Sequence, residues 1–189
     1  MKMGEIVITD LTVKFGEKTV FEDFGVKIPA DGLTVIAGES GCGKTTLLRV
    51  IAGLLKPQSG AVSGVDPHNT AFLFQENRLF PWRTCLQHIT DVLPKEKRDT
   101  AQDFLHLCEL EGEEGTYPGA LSGGMARRLS LARALALGGE LYILDEPFAG
   151  VDPARRERIL QNIRGLNTPI LLVSHEQEVV SAADRVVWL

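Results

Sequence analysis

The chain has 189 residues, of which 44% are hydrophobic, and its formal net charge is −5 at pH 7. This composition excludes a disordered or fibrous chain and indicates one compact domain with a full-sized core. The negative charge also gives no global positive field that would collect nucleic acid or anionic lipid, so any bound anion must be held locally.

Hydrophobic patterning predicts the elements in chain order. Two alternating segments on either side of residues 15–18 indicate an antiparallel hairpin. Near-continuous apolar runs at 141–144 and 170–173 are typical of parallel strands buried on both faces. The predicted strands span 5–14, 19–28, 33–37, 71–74, 141–144, 170–173 and 185–189, and the predicted helices span 45–55, 83–92, 95–108 and 125–137.

The glycine loop after the third predicted strand matches the motif G-x-x-x-x-G-K-[ST] and leads directly into a helix. Its glycines let the backbone approach an anion closely, and the helix N-terminus adds a partial positive charge. Lys44 contributes a full charge at the β- and γ-phosphates of a nucleoside triphosphate, and Thr45 offers a hydroxyl to Mg²⁺. Cys42 is interpreted as a tolerated small residue. The predicted phosphate-binding residues are Gly38, Glu39, Ser40, Gly41, Cys42, Gly43, Lys44, Thr45 and Thr46.

The order of strand, phosphate loop and helix predicts an α/β fold. We expect a P-loop NTPase core with a mostly parallel sheet, an N-terminal antiparallel β-subdomain and an inserted helical subdomain. A single domain would cover 1–189, with the core and the β-subdomain in 1–74 and 138–189 and the helical subdomain in 75–137.

Two adjacent carboxylates end the apolar strand at 141–144. At the carboxyl end of a parallel strand they would project into the crevice where ligands bind. Since neighbouring strand residues point to opposite sides, they cannot share one role. Asp145 is the better Mg²⁺ partner, directly or through water, and Glu146 is the better general base for a water that attacks the γ-phosphate.

A second glycine cluster, Ser122-Gly123-Gly124, opens the predicted helix at 125–137, and Ser122 is a natural N-cap. Exposed N–H groups at this helix N-terminus would form a second anion site in a chain that already has one. The three cysteines have no metal-binding or disulfide spacing, and we expect them to be small, mostly buried apolar residues.

With these motifs in place, nearly the whole chain resembles the ATPase subunit of an ABC transporter. The LSGGM stretch from Leu121 resembles the family signature, and Leu144-Asp145-Glu146-Pro147 resembles the magnesium-binding and catalytic strand. Met125, where many relatives have Gln, and the segment 75–84 resemble the nitrate, sulfonate and taurine importer branch.

The resemblance implies roles for four further residues. Gln75 matches a glutamine that contacts Mg²⁺ and the membrane-domain interface, and Asp152 lies in a loop that follows the catalytic strand. His175 matches the switch histidine, which would hydrogen-bond the γ-phosphate or hold the attacking water. Phe15 falls where an aromatic ring stacks on adenine. The expected catalytic set is therefore Glu146, His175, Lys44 and Gln75, and the expected metal set is Thr45, Gln75 and Asp145.

The resemblance also implies partners. We expect ATP and Mg²⁺ to bind, and Ser122, Gly123 and Gly124 to contact ATP held by the phosphate loop of a second copy in a head-to-tail dimer. A transmembrane permease subunit would be a direct partner, a solute-binding protein an indirect one, and nucleic acid no partner. No apolar leader or membrane-spanning run is found, so a cytoplasmic location on the inner face of the membrane is expected.

Two alternative interpretations assign the chain to other classes of nucleotide-binding protein. A soluble ABC ATPase of DNA repair or translation usually carries coiled-coil insertions, tandem domains or basic patches, and a P-loop kinase or GTPase would lack the second glycine cluster. The segments 59–69 and 95–117 are shorter than in members of the importer branch, and the second of them belongs to the helical subdomain on which the permease would dock. Nitrate, sulfonate, taurine and a thiamine-precursor pyrimidine all stay open as transported solutes.

Overall fold

The computed structural model describes residues 4–189 and contains two sheets. The antiparallel sheet has the order β2-β1-β4, and the second sheet is parallel throughout, with the order β5-β6-β7-β3-β8. The strands are β1 Glu5–Phe15, β2 Lys18–Pro29, β3 Leu33–Ala37, β4 Ser59–Ser63, β5 Thr70–Leu73, β6 Leu141–Asp145, β7 Ile170–Val173 and β8 Arg185–Trp188. All seven predicted strands are present, and the predicted fold class is confirmed.

Six α-helices surround the sheets in the part of the chain that the structure describes. They are α1 Lys44–Ile51, α2 Cys85–Thr90, α3 Ala101–Leu107, α4 Gly123–Leu137, α5 Pro153–Arg164 and α6 Gln177–Ser181. Three sequence expectations were wrong in extent. The helix expected at 45–55 ends at Ile51, shortly before Gly53, whose φ is +67°. The helix expected at 83–92 is confined to α2, and 95–100 forms a 3-10 segment because this charged stretch buries no side chain.

Two hydrophobic cores lie on opposite faces of the parallel sheet. On one face, Tyr142 and Leu144 of β6 pack in the cluster that contains the buried residues of α2 to α5. On the other face, Leu141 and Ile143 pack in the cluster shared with α1 and the antiparallel sheet. This alternation is the period-two pattern of a strand covered on both faces.

The strand order brings three loops to one edge of the parallel sheet. β3 lies next to β7, with Ile36 opposite Val173, and β7 lies next to β6, with Val173 opposite Asp145. The phosphate loop follows β3, Glu146 follows β6, and His175 follows β7. These groups therefore meet at the carboxyl ends of adjacent strands, where ligands bind in open α/β sheets.

Helices α2, α3 and α4 pack on one another, and α4 also contacts β5 and β6. α4 therefore belongs to the same hydrophobic cluster as the parallel sheet, and the division of the chain at 75–137 stays a prediction. Within residues 4–189, none of the helices is both long enough and apolar enough to span a membrane.

Candidate active site

The phosphate loop leaves buried strand β3 and ends at the first turn of α1. Lys44 Nζ donates hydrogen bonds to the carbonyl oxygens of Gly38 and Glu39, at 2.9 and 2.8 Å. The ammonium group therefore lies against the backbone at the start of the loop. Cys42 is half-buried, and its Sγ lies 3.9 Å from the same ammonium nitrogen.

Gly43 is required by both conformation and packing. It is the N-cap of α1 with φ 108°, a left-handed value that L side chains rarely adopt. A Cβ at this position would lie 2.7 Å from the Phe21 ring and 2.8 Å from Val20 Cγ1. The phosphate loop is therefore wedged directly against strand β2.

Thr45 and Asp145 meet at the carboxyl end of β6. Thr45 Oγ1 donates a hydrogen bond to Asp145 Oδ1 at 3.2 Å, while the buried Asp145 Oδ2 has no hydrogen-bond partner among the described residues. Burial raises the pKa of Asp145, and the bond from Thr45 opposes that shift. A buried carboxylate oxygen beside a hydroxyl suits Mg²⁺, which prefers oxygen ligands, so the residues present fit the ion.

Glu146 and His175 form a second pair. β6 ends at Asp145, and Glu146, directly after it, adopts a left-handed φ of 50°. His175 Nδ1 lies 3.1 Å from Glu146 Oε1. Burial raises the pKa of Glu146, partly offset by the His175 hydrogen bond, and the same bond raises the pKa of His175. A carboxylate with a raised pKa is a better proton acceptor near neutral pH.

Sequence reasoning missed Arg127, a buried residue of α4. Its guanidinium donates to the carbonyl oxygens of Phe74, Gln75 and Glu146, at 2.7, 3.0 and 2.9 Å, and also to that of Asp145. One side chain thus joins the ends of β5 and β6. The available signal was a pair of adjacent arginines, at 127 and 128, in a helix whose other residues are mostly apolar.

The second glycine cluster forms the N-terminus of α4. Ser122 Oγ accepts a hydrogen bond from the N–H of Met125 at 3.2 Å, which confirms the predicted N-cap. A Cβ at Gly124 would lie 2.6 Å from the carbonyl oxygen of Gly150, so the two backbones are in direct contact. Asp152 is the N-cap of α5, where its Oδ1 accepts from the N–H of Arg155 at 3.0 Å.

The remaining predicted residues lie in two different places. Gln75 is exposed and lines a cavity of about 660 Å³ together with Ser122, Gly123 and Gly124 of the same chain. Phe15 ends β1 with half of its surface exposed. The structure thus brings together Thr45 with Asp145, Glu146 with His175, and Gln75 with the second glycine cluster.

Comparison with known proteins identifies relatives of this chain. The ABC transporter family model matches residues 21–149. The chain is 38% identical to the aliphatic sulfonates import ATP-binding protein SsuB of Corynebacterium glutamicum, over 96% of this chain and 79% of the relative. It is 37% identical to SsuB of Zymomonas mobilis, over 100% of this chain and 83% of the relative.

Solved structures show the same fold. The dimeric post-hydrolysis state of the ATP-binding cassette MJ0796, bound to ADP and Pi, superposes with a TM-score of 0.86 at 26% identity and covers 97% of this chain and 94% of that one. The ATP-binding subunit of another ABC transporter gives a TM-score of 0.83 at 25% identity, covering 97% and 85%. On the family match and on relatives that align over nearly the whole of this chain, the chain belongs to the ABC transporter family and is one of its ATP-binding cassettes.

Proposed function

We propose that this chain is the ATP-hydrolysing subunit of an ABC importer for a small anionic solute of the sulfonate class. The observation that carries the proposal is the meeting of Lys44, Thr45, Asp145, Glu146 and His175 at one edge of the parallel sheet. The sulfonate class is supported by the relatives, which are aliphatic sulfonates import ATP-binding proteins.

The phosphate loop binds the nucleotide. Backbone N–H groups at the start of α1 and the Lys44 ammonium face the β- and γ-phosphates, and Phe15 stacks on the adenine ring. Thr45, Asp145 and Gln75 would hold Mg²⁺. When bound, the ion neutralises negative charge that develops on the phosphate oxygens.

Glu146 is the proposed general base. Its raised pKa and its position after β6 suit it to accept a proton from the attacking water. The His175 side chain is largely exposed and contacts Glu146 through Nδ1. It therefore orients the Glu146 carboxylate, and its Nε2 is free to contact the γ-phosphate or the attacking water.

The second glycine cluster completes the site of a second copy. Ser122, Gly123 and Gly124 present a capped helix N-terminus, and Asp152 lies in a cavity that Ser122 and Gly124 also line. In a head-to-tail dimer this surface contacts ATP on the phosphate loop of the partner. The dimer docks on a transmembrane permease at the cytoplasmic face, and a solute-binding protein delivers the solute to that permease.

The test is Glu146→Gln, which keeps the shape of the side chain but removes its basicity. We expect the ATPase rate to fall by about 10²- to 10⁴-fold, the usual contribution of a general base. ATP binding should persist, and dimers should accumulate with ATP in light scattering. Glu140→Gln, at the opposite end of β6, is the control and should keep wild-type turnover. Equal turnover in both variants would remove Glu146 as the base.

The solute class needs the assembled transporter. The chain is combined with its permease and solute-binding protein in liposomes, and ATP hydrolysis is measured with taurine, an alkanesulfonate or nitrate. Stimulation by the sulfonates, with little effect of nitrate, is the expected result. Stimulation by nitrate alone would overturn the sulfonate assignment and leave the ATPase assignment in place.

A further inference from the structure

Arg127 lies where three functional segments meet. It is in the second turn of α4, close to the second glycine cluster at the start of that helix. Its guanidinium reaches the ends of β5 and β6, which carry Gln75 and Glu146. With 3% of its surface exposed, the side chain is held almost entirely within the protein.

The hydrogen-bond geometry of Arg127 is hard to replace. The planar guanidinium fork donates to four carbonyl oxygens and also to the amide oxygen of Asn77 at 3.3 Å. Lysine presents a single point charge on a flexible stem and cannot reach this spread of acceptors at once. The backbone carbonyl of Glu146, where the chain adopts a left-handed φ of 50°, is among the groups it fixes.

We propose that Arg127 is a positioning residue that holds Glu146 and Gln75 in register with the signature helix α4. Since Arg127 and the second glycine cluster are on one helix, contact of that cluster with a partner's nucleotide acts on the catalytic strand of the same chain. Arg127 acts through Glu146 and Gln75, and its role rests on the proposed function of those residues.

Arg128 is a matched control for the experiment. It is the next residue of α4, is also buried, and donates to the carbonyl oxygens of Cys108 and Glu109. Its loss therefore removes a buried guanidinium and leaves carbonyl oxygens without their donor, as the loss of Arg127 does. The groups that it contacts lie outside the ends of β5 and β6.

The test compares Arg127→Met with Arg128→Met in steady-state ATPase assays, corrected for the folded fraction. For Arg127→Met we expect kcat to fall by about 10- to 100-fold with KM changed by less than about threefold, because a small displacement of a catalytic group is enough to cost that much. Arg128→Met should keep kcat within about twofold. Equal values of kcat in the two variants would overturn the proposal.

Hydrogen exchange gives a readout that does not depend on turnover. Arg127→Met should speed exchange of the amides at 74–77 and 145–150, and Arg128→Met should speed it at 108–110. Uniform loss of protection in Arg127→Met would show a purely structural role. If Arg127→Met does not fold, Arg127→Lys is measured in its place, and wild-type kcat in that variant would overturn the proposal. Absence of hydrolysis by the wild type would instead contradict the proposed function.

Discussion

The phosphate loop and the second glycine cluster are both glycine-containing N-termini of helices, but they are built differently. The phosphate loop follows a fully buried interior strand, packs against Phe21 and carries the Lys44 ammonium. The second cluster is largely exposed, and its Ser122 hydroxyl already caps α4. A Cβ at its Gly124 would meet the carbonyl oxygen of Gly150.

This difference separates two tasks. The phosphate loop combines a full charge, a rigid backbone and adjacent carboxylates, so it can bind a nucleotide within a single chain. The second cluster supplies N–H donors without a positive side chain within the motif itself, so it adds interactions only to a nucleotide that is already held elsewhere. The affinity for ATP should therefore depend on the phosphate loop alone, whereas dimerisation and hydrolysis should depend on both regions.

The largest effect is expected from Lys44→Ala. Removal of the ammonium takes a full positive charge from the β- and γ-phosphates, so ATPase activity should fall by about 100-fold or more. Nucleotide binding, measured with a fluorescent ATP analogue, should weaken in the same variant. Lys56→Ala, just beyond α1, is the control and should bind as the wild type does. Unchanged nucleotide binding in Lys44→Ala would contradict the proposed difference between the phosphate loop and the second glycine cluster.

A smaller effect is expected from Gly124→Ala. The added Cβ would lie 2.6 Å from the Gly150 carbonyl oxygen, whereas a Cβ at Gly123 meets no atom within 4 Å. We expect Gly124→Ala to reduce hydrolysis by about tenfold and to weaken ATP-driven dimerisation, because the helix must shift away from the loop. Gly123→Ala adds the same methyl group and should lose much less. Weakened ATP binding by monomeric Gly124→Ala would contradict the separation of tasks.

Thiol labelling tests the phosphate loop alone. Cys85 and Cys108 are buried; burial raises the pKa of the Cys85 thiol to about 11 and also raises that of Cys108, so both should react slowly. Cys42 should be the single fast thiol in the native protein. Mg²⁺ with ATP should slow its reaction by about tenfold, even at protein concentrations too low for dimers. Cys42→Ser is the control, and fast labelling in that variant would disprove the assignment.

The smallest effect concerns acid stability on the side of the second cluster. Glu109 pairs with Arg158 of α5, whose Nη2 lies 3.0 Å from Oε2, and this hydrogen bond lowers the pKa of Glu109. A lowered pKa stabilises the fold above the unfolded value of about 4.3. That contribution is lost as the pH falls through the folded value.

Urea midpoints at pH 7 and pH 3 measure this loss. The midpoint of Glu109→Gln should fall less between the two pH values than that of the wild type. The difference should be slight, because Arg158 is more than half exposed and water screens the pair. Glu96→Gln, in the exposed 3-10 segment, should behave as the wild type does. A fall in Glu109→Gln as large as in the wild type would exclude this pair as an acid-labile contact.

Much of the fold was predictable because its signals are local. The strands at Leu33–Ala37 and Leu141–Asp145 are continuous apolar runs, and the phosphate loop is a contiguous motif. β4 was missed because Ser59–Ser63 has little apolar character and owes its extended state to pairing with β1. α5 was also missed, although Asp152-Pro153 is a good start signal and Ile159 and Ile163 share a face.

The site was predictable residue by residue but not as an arrangement. Each of Lys44, Asp145 and Glu146 belongs to a short motif, whereas the contact between Glu146 and His175 joins residues 29 positions apart. The hydrogen bonds of the Arg127 guanidinium reach residues up to 53 positions away in the sequence, and they depend on how α4 packs across two strands. Contacts of this kind depend on tertiary packing, which the hydrophobic periodicity of the sequence does not predict.

The direct backbone contact between Gly124 and Gly150 gives the molecule a second mechanical connection. A shift of α4 at Gly124 would therefore press on the loop at Gly150, which lies four positions after Glu146. Arg127 makes the same connection through a side chain. The carboxylate proposed as the general base is thus connected to α4 by two separate paths, so loss of either path alone should weaken the coupling and not abolish it.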